Sequence, residues 1–192
     1  MTKVYFIRHC ESDHSVRTDN IRPLTEKGLN DSKIITSFLA DKEIDAIFSS
    51  PYKRAIDTVF DFSQSVNKQI ELIDDFREKY KTTWLDDKDW VDFAQKQWAD
   101  FSYKLSEPDD ESLQEVQSRN IKALKSLLNS RQNQNIVIGI HGFALSTIIN
   151  YYDSTYNYED FMNMVYLLPW IVIMEFDDQT CLSIKKIDVK DI

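Results

Sequence analysis

The chain has 192 residues, of which 42% are hydrophobic and 29% are charged, and it carries a formal net charge of -9. This length suits one domain with a sizeable buried core, so we expect a single domain over residues 1–192. The acidic balance and the lack of a basic face argue against a protein that binds nucleic acid or an anionic membrane. A site for an anion must therefore gather its cations locally, which makes each arginine near a strand end informative.

The cysteine pattern favours a reducing compartment, and the apolar runs argue against a signal peptide and a membrane span. Cys10 and Cys181 do not have the spacing of metal ligands or of a disulfide framework. The first apolar stretch is four residues long and unlike a signal peptide. The longest apolar run, residues 164–174, is interrupted by Pro169 and is too short to cross a bilayer. We therefore expect a cytoplasmic enzyme or binding protein.

Apolar runs and amphipathic stretches alternate along the chain, and their periods distinguish strands from helices. In chain order, the patterns predict a strand at 3–7, a helix that starts at Thr25, a strand at 44–48, a helix at 52–64, a strand at 70–73, a helix at 111–130, a strand at 135–140, a helix at 142–151, and edge strands at 165–168, 171–176 and 181–187. Ser49-Ser50-Pro51 is typical of a helix cap followed by proline at the first helical position. The alternation favours an α/β fold, a three-layer α/β/α sandwich whose mostly parallel central sheet has an antiparallel edge.

Residues 74–107 are the least regular part of the chain. They hold three of the four tryptophans, Trp84, Trp90 and Trp98, together with many acidic residues. We predict that this segment, at about 74–107, is a helical and loop insertion that covers one end of the sheet and the active site.

Basic side chains follow the predicted strands. Arg8 and His9 come directly after the first strand, Arg54 lies at the start of the helix after the second, and His141 follows the strand at 135–140. Because the carboxyl ends of parallel strands meet at one edge of a sheet, we expect these side chains to share a pocket. Arginine forks suit phosphate oxygens, and a neutral histidine is a competent nucleophile toward phosphorus. The pattern therefore indicates phosphoryl transfer.

Motifs in this order resemble the histidine phosphatase superfamily, which is also called phosphoglycerate mutase-like. The matching motifs are Arg8-His9-Cys10-Glu11-Ser12, Pro23-Leu24-Thr25-Glu26-Lys27-Gly28, Ser49-Ser50-Pro51 with Arg54-Ala55 and Thr58, Glu111-Ser112-Leu113 with Val116 and Arg119, and His141-Gly142 with Leu145. Each motif alone is a weak signal. Together they span most of the chain and are specific.

The resemblance implies roles for the basic residues. His9 is expected to be the nucleophile that forms phosphohistidine. Arg8, Arg54 and His141 are expected to bind the phosphoryl group together with His9, and Ser15, which stands where many members carry asparagine, is a further phosphate-binding candidate. No metal and no cofactor are implied, because the arginines and the second histidine would supply the stabilising charge.

The resemblance also implies an acid. The family's Leu-x-Glu, followed six residues later by tryptophan, corresponds to Phe76-Arg77-Glu78 and Trp84. Glu78 would protonate the leaving alkoxide and then activate water. The residues that follow Glu78 depart from the family pattern, so the acids Glu71, Asp74 and Asp75 are alternatives to it.

Other departures and candidates concern the surroundings of the phosphate. Cys10 replaces the glycine of the first motif, and its thiol is either lowered in pKa beside an arginine or buried and inert. Five residues are candidates for contact with the rest of the substrate: Arg17, Arg22, Tyr80, Trp84 and Phe143.

Three functions are compatible with these motifs. The first is a metal-independent phosphomonoesterase that acts on a small phosphorylated substrate. The second is a phosphoglycerate mutase, and the third is a phospho-ligand-binding module without turnover. The short chain and the altered surroundings of Glu78 favour hydrolysis, and the intact set of basic residues argues against lost turnover. A homodimer that pairs tail strands such as 171–176 is possible, although these strands more simply complete their own sheet.

Overall fold

The computed structural model describes residues 1–80, 85–105 and 110–192. Within them, six strands form one sheet in the order β3-β2-β4-β1-β5-β6. Their bounds are β1 Thr2–Arg8, β2 Ala46–Ser49, β3 Ile70–Leu72, β4 Asn135–Ile140, β5 Trp170–Asp177 and β6 Thr180–Asp188. Strands β1 to β4 pair in parallel, and β5 and β6 add an antiparallel edge. The predicted α/β fold with a mostly parallel sheet and an antiparallel edge is confirmed.

Helices cover both faces of the sheet. Their bounds are α1 Glu26–Leu39, α2 Lys53–Ser65, α3 Asp87–Ala99, α4 Leu113–Ser130, α5 Gly142–Tyr152 and α6 Tyr158–Val165. Alternate residues of β1 belong to two separate cores: Tyr5 and Ile7 pack with α1 and α2, whereas Val4 and Phe6 pack with α4, α5 and α6. Because a strand points successive side chains to opposite faces, an almost fully apolar β1 requires this three-layer arrangement.

Local sequence fixes where three of the helices begin. Thr25 caps α1 by accepting a hydrogen bond from the Gly28 N–H, as predicted for a helix starting there. Ser112 and Glu115 form a reciprocal capping box at α4. Asn157 and its third helical residue form another at α6. Each such cap contributes about 1 kcal/mol to helix stability.

Helix α2 begins later than predicted. Its first residue is Lys53 and its cap is Tyr52, so Pro51 stands before the cap and not at the first helical position. The reason is a local turn in which the Ser50 Oγ accepts the Tyr52 N–H at 3.2 Å. This turn takes up Pro51 and Tyr52, so the helix starts only at Lys53.

The prediction of a strand at 165–168 is wrong. Val165 is the last residue of α6, a helix that the apolar run concealed. A short apolar run does not separate a strand from the end of a buried helix, and here the capping box at Asn157 decides for the helix. The strand at 171–176 is real but lies between β1 and β6, so it has no free edge for pairing across a homodimer.

The described part of the 74–107 segment holds a short 3-10 helix, Asp74–Phe76, and helix α3. Helix α3 packs on α6, where the ring centroids of Trp90 and Phe161 are 6.1 Å apart. Trp84 lies outside the described residues. In the parts of the chain that are described, no helix has the length and apolar character needed to span a membrane.

Candidate active site

The carboxyl ends of the three central parallel strands meet at one edge of the sheet. Arg8 ends β1 and His9 follows it, while His141 follows β4 and Ser50 follows β2. The backbone holds them in register, because His9 N donates to Ile140 O at 3.0 Å and Ser50 N donates to a β4 carbonyl at 2.9 Å. The ring centroids of His9 and His141 are 5.3 Å apart. Parallel pairing thus brings together side chains that are more than 130 residues apart in sequence.

His9 is held in one tautomer. Its Nδ1 lies 2.7 Å from the carbonyl oxygen of Cys10, which only accepts, so Nδ1 carries the proton and Nε2 keeps its lone pair. Burial, together with the positive charges of Arg54 and Arg8, holds the pKa of His9 well below its usual value of 6.5. A neutral imidazole with an available Nε2 is the form that attacks phosphorus.

Arg8 is anchored through one side of its guanidinium. Its Nη1 donates to the carbonyl oxygens of Met164, Val165 and Leu167 at 2.6, 3.1 and 2.9 Å. Its Nε has no hydrogen-bond partner among the described residues. Burial lowers the pKa of Arg8 to about 10, so the side chain stays charged at neutral pH. Anchoring by neutral carbonyls leaves that charge available to a bound anion.

Arg54 and Arg22 share one carboxylate. Asp19 accepts from Arg54 Nη1 through its backbone oxygen at 2.7 Å, and its Oδ1 lies 3.2 Å from the same nitrogen. The Asp19 Oδ1 is also 3.0 Å from Arg22 Nη1. Within the described ranges, Arg54 Nε is buried without a partner. Asp19 therefore orients both guanidinium groups.

The side chain of Glu78 lies against the N-terminus of helix α5. Its Oε1 accepts from the backbone N–H groups of Lys79 and Ala144 at 2.8 and 3.3 Å, and its Oε2 accepts from Phe143 N at 3.2 Å. The N-terminus of a helix favours a negative charge. The backbone thus places this carboxyl group on the wall of the cavity that His9 also lines.

The Glu78 segment is tied to helix α4 by Arg119. Arg119 Nη1 donates to the carbonyl oxygens of Asp75 and Arg77 at 2.7 and 2.8 Å, and Nη2 donates to Glu78 O at 3.2 Å. Arg119 also pairs with Glu111 at 2.9 Å. Burial raises the pKa of Glu111, but the hydrogen bond and charge of Arg119 outweigh it, so that pKa lies below its ordinary value.

Cys10 is accommodated without backbone strain. The positive-φ residues of the described chain are Glu43, Asn67, Asn133 and Asp178. Cys10 is fully buried, and its N–H donates to Thr58 Oγ1 at 2.9 Å. Burial raises the pKa of its thiol to about 12, which makes it an unreactive group.

Arg8, His9, Arg54 and Glu78 line one cavity of about 260 Å³. It is lined by Arg8, His9, Ser12, His14, Asp19, Arg22, Arg54, Glu78, Lys79, Trp90, Phe93, Gly142, Phe143, Phe161, Met164, Val165 and Leu168. Of the residues predicted from sequence, the lining includes Arg8, His9, Arg54, Glu78, Arg22 and Phe143. His141 is fully buried behind the lining, with its Nε2 2.8 Å from Ser50 Oγ.

Three predicted contact residues lie elsewhere. Ser15 is exposed in a turn in which its N–H donates to Asp13 Oδ1 at 2.9 Å, and Ser12 takes the place in the lining instead. Arg17 is exposed, and Tyr80 is 42% exposed and does not line the cavity. The polar turn after His9 directs Ser15 and Arg17 outward. Trp84, the fourth such candidate, lies outside the described residues.

Sequence reasoning missed much of the lining. Asp19 stands between two arginines in sequence, and this alternation of charges was a usable signal. Trp90 belongs to the segment that was predicted to cover the site, whereas Lys79 and Met164 carried no local signal of their place in the lining. Among residues 1–80, 85–105 and 110–192, no cluster of three or more His, Cys, Asp or Glu side chains has a geometry that could hold a metal ion.

Comparison with known proteins identifies the family. The family model described as histidine phosphatase superfamily (branch 1) matches residues 4–187. A protein of Hydrogenobacter thermophilus named "Putative phosphoserine phosphatase 2" is 26% identical over 161 residues, which cover 78% of this chain and 77% of that protein.

Solved structures share the fold. YhfR of Bacillus stearothermophilus superposes with a TM-score of 0.76 at 22% identity and 94% coverage of each chain. Phosphoserine phosphatase of Entamoeba histolytica, solved with 3-phosphoglyceric acid, gives a TM-score of 0.74 at 21% identity, with 98% of this chain and 99% of that chain covered. The family match extends over Arg8, His9, Arg54 and His141, and the chain therefore belongs to the histidine phosphatase superfamily, branch 1.

Proposed function

We propose that the chain hydrolyses phosphate monoesters by transferring the phosphoryl group first to His9 and then to water. One observation carries the proposal. A neutral His9, with its Nε2 lone pair available, lines a cavity together with Arg8 and Arg54, two buried arginines whose Nε atoms have no partner in the described chain. Buried donors without acceptors are costly, and phosphate oxygens are the acceptors that match them.

In the first step, His9 Nε2 attacks phosphorus and a P–N bond forms while the bond from phosphorus to the ester oxygen breaks. The leaving alkoxide takes the proton of a protonated Glu78 carboxyl group, which lines the same cavity, and Glu78 is left as the carboxylate. In the second step, Glu78 takes a proton from water, the water oxygen attacks phosphorus, and the P–N bond breaks. The three N–H groups that hold the Glu78 carboxylate leave lone pairs on its oxygens, because a carboxylate has about four acceptor sites.

The arginines supply the electrostatic part of catalysis. Charge accumulates on the equatorial phosphoryl oxygens as the group is transferred, and preorganised guanidinium groups in a dry site stabilise it. Arg8 and Arg54 are fixed by their carbonyl and Asp19 partners before substrate arrives. This fixed charge supports turnover without a metal, so activity on a generic aryl phosphate should persist in EDTA. A strict metal requirement would contradict the mechanism.

Trapping of the intermediate tests the proposal directly. Rapid denaturation during turnover of a 32P-labelled ester should leave label on the protein that is stable to alkali and labile to acid, as expected for phosphohistidine. His9→Ala should abolish both labelling and turnover. Ser15→Ala should retain them, because Ser15 is exposed and outside the lining. Labelling that persists in His9→Ala would place the nucleophile elsewhere.

The two alternative functions are tested in the same assay series. A mutase would exchange 2- and 3-phosphoglycerate faster than it releases phosphate. A module without turnover would bind phosphate esters but form no phosphohistidine. The lining holds His9 and Glu78, the proposed nucleophile and acid, beside Arg8 and Arg54, and this combination supports hydrolysis over binding alone.

We further propose a small phosphorylated metabolite as the substrate and the cytoplasm as the place of action. Relatives named phosphoserine phosphatase and glucosyl-3-phosphoglycerate phosphatase support the first statement. The free thiols of Cys10 and Cys181 support the second. A homodimer through strand pairing would use one of the edge strands, β3 or β6. Sedimentation analysis would measure the oligomeric state.

A further inference from the structure

One side of the cavity is apolar. We call it the apolar wall, and it consists of Trp90, Phe143, Phe161, Met164, Val165 and Leu168. Its rings pack on one another, with centroids 4.5 Å apart for Phe143 and Phe161 and 6.2 Å apart for Trp90 and Phe143. Two of the wall residues, Met164 and Val165, also anchor Arg8 through their carbonyl oxygens. The wall is therefore fixed relative to the phosphate end of the cavity.

The cations of the cavity are already matched by carboxylates. The positively charged lining residues are Arg8, Arg22, Arg54 and Lys79. The facing carboxylates are Asp19, which pairs with two of the arginines, Asp110, which pairs with Lys79, and Glu78 in the lining itself. Among the described residues, four cations face two carboxylates once Glu78 is protonated for its role as the acid, which leaves about two positive charges. A phosphoryl group with a charge of about -1.5 to -2 consumes them.

Lys79 lies near the apolar wall, with its Nζ 6.0 Å from the centroid of the Phe143 ring, and it is already paired. Its Nζ is 3.2 Å from Asp110 Oδ1, and the two side chains are 3% and 1% exposed. The ammonium also lies 4.8 Å from the centroid of the Phe93 ring. A carboxylate on the substrate would have to compete with a buried aspartate for this partner. The charge balance therefore disfavours a second anionic group on the substrate.

We propose that the substrate is the phosphate monoester of a small, apolar, uncharged alcohol, with about one ring or a short aliphatic chain packed on the apolar wall. The inference rests on the proposed function, since the ester is bound at the same site. The cavity of about 260 Å³ limits the size, because it lies below the range of about 300–1,000 Å³ that is usual for drug-sized ligands. The charge balance separates this uncharged alcohol from a carboxylate-bearing substrate such as phosphoserine.

Three primary alkyl esters of similar leaving-group chemistry test this choice: 2-phenylethyl phosphate, glycerol 3-phosphate and phosphoserine. Burial of the phenyl ring should give 2-phenylethyl phosphate a kcat/KM about 10- to 100-fold above the other two, chiefly through KM. Equal rates, or a preference for phosphoserine, with phosphate still released would overturn the inference and leave the proposed function standing.

Two variants and a matched control locate the effect on the apolar wall. Trp90→Gln should reduce the preference for 2-phenylethyl phosphate over glycerol 3-phosphate about tenfold. Val165→Lys, which adds a cation to the apolar wall, should shift the preference toward phosphoserine. Tyr166→Gln is the control, because Tyr166 is 81% exposed beside Val165 and outside the lining. Unchanged preferences in both wall variants would contradict the assignment.

The binding affinities of phosphonates test the inference independently of turnover. In calorimetry, 3-phenylpropylphosphonate should bind about tenfold or more tightly than propylphosphonate and than 2-amino-4-phosphonobutanoate. If no ester is hydrolysed, including p-nitrophenyl phosphate, the proposed function fails. The phosphonate affinities then decide the inference alone, and tighter binding of the carboxylated phosphonate would overturn it.

Discussion

Arg119 holds Glu111 in a two-point contact, with Nε 2.9 Å from Oε1 and Nη2 3.0 Å from Oε2. The same guanidinium donates to the carbonyl oxygens of Arg77 and Glu78. Glu111 completes the connection, because its Oε2 accepts the Tyr80 N–H at 2.7 Å. A half-buried planar fork therefore fixes the backbone on both sides of the proposed acid, although neither Arg119 nor Glu111 lines the cavity.

Arg119→Lys should act as a positional change at Glu78. A lysine keeps the charge but cannot reproduce the fork, so the segment should lose its fixed position. A displacement of about 1 Å costs up to about 100-fold in rate, and we expect kcat for an alkyl ester to fall about 10- to 100-fold. Hydrolysis of p-nitrophenyl phosphate, whose leaving group hardly needs a proton, should fall much less. Steady-state kinetics on the two esters measure the difference.

The control for this variant is Arg131→Lys. Arg131 is a surface arginine that pairs with Glu71 at 2.9 Å, far from the cavity lining. Its replacement should leave both rates at the wild-type level. Equal slowing of alkyl and aryl esters by Arg119→Lys would show that Arg119 supports the fold and not the position of the acid.

Glu78→Gln tests the acid itself. The amide has nearly the same shape but no exchangeable carboxyl proton, so alkyl-ester hydrolysis should fall about 100- to 10,000-fold, the usual worth of a general acid. Aryl esters should be affected far less in the first step. Glu71→Gln is the matched control among the alternative acids, since Glu71 is exposed and pairs with Arg131. If Glu71→Gln shows the selective loss instead, the assignment of the acid is wrong.

The basic part of this site was predictable because it depends on strand ends. Arg8, His9 and His141 directly follow apolar runs, and parallel pairing brings such positions to one edge whatever the helices do. Local sequence also predicted the start of α1 at Thr25, because the cap is a contact within one turn.

The apolar part of the site was not predictable in the same way. Trp90 and Met164 meet only because α3 packs on α6, which sequence spacing does not encode. The short apolar run that contains Val165 fits a strand as well as a helix end, and the capping box at Asn157 makes Val165 the end of α6. Ser15 failed as a lining residue because a turn after His9 rotates it outward. Tertiary packing thus decided the positions that local patterns left open.

Acid should destabilise the protein through its buried histidines. The pKa values of His9 and His141 lie well below 6.5 because of burial and nearby arginine charge. In the unfolded chain each imidazole takes up a proton as the pH falls through about 6.5, and the folded state resists this. The unfolded state then binds more protons, so the free energy of unfolding falls below pH 6.5, by about 1.4 kcal/mol per pH unit for each histidine.

Urea unfolding between pH 7.5 and 5 measures this slope. His141→Asn should flatten it by about 1.4 kcal/mol per pH unit, because one of the two resisting groups is gone. Gln132→Ala, an exposed change that removes no ionisable group, should keep the wild-type slope. An unchanged slope in His141→Asn would mean that His141 is protonated in the folded protein.

Gly28→Ala should destabilise the fold at the junction of the first two motifs. A Cβ at Gly28 would overlap the carbonyl oxygen of Glu11, which already accepts the Thr25 N–H at 3.0 Å. In an exposed helix, replacement of glycine by alanine would stabilise the fold by about 1 kcal/mol, so a net loss of stability at Gly28 reports the steric cost. Overpacking of this kind costs about 1–3 kcal/mol, and thermal unfolding should show a lower midpoint. Lys33→Ala, an exposed change on the same helix, should keep a midpoint near that of the wild type. A Gly28→Ala protein of wild-type stability would show that Glu11 can move aside without cost.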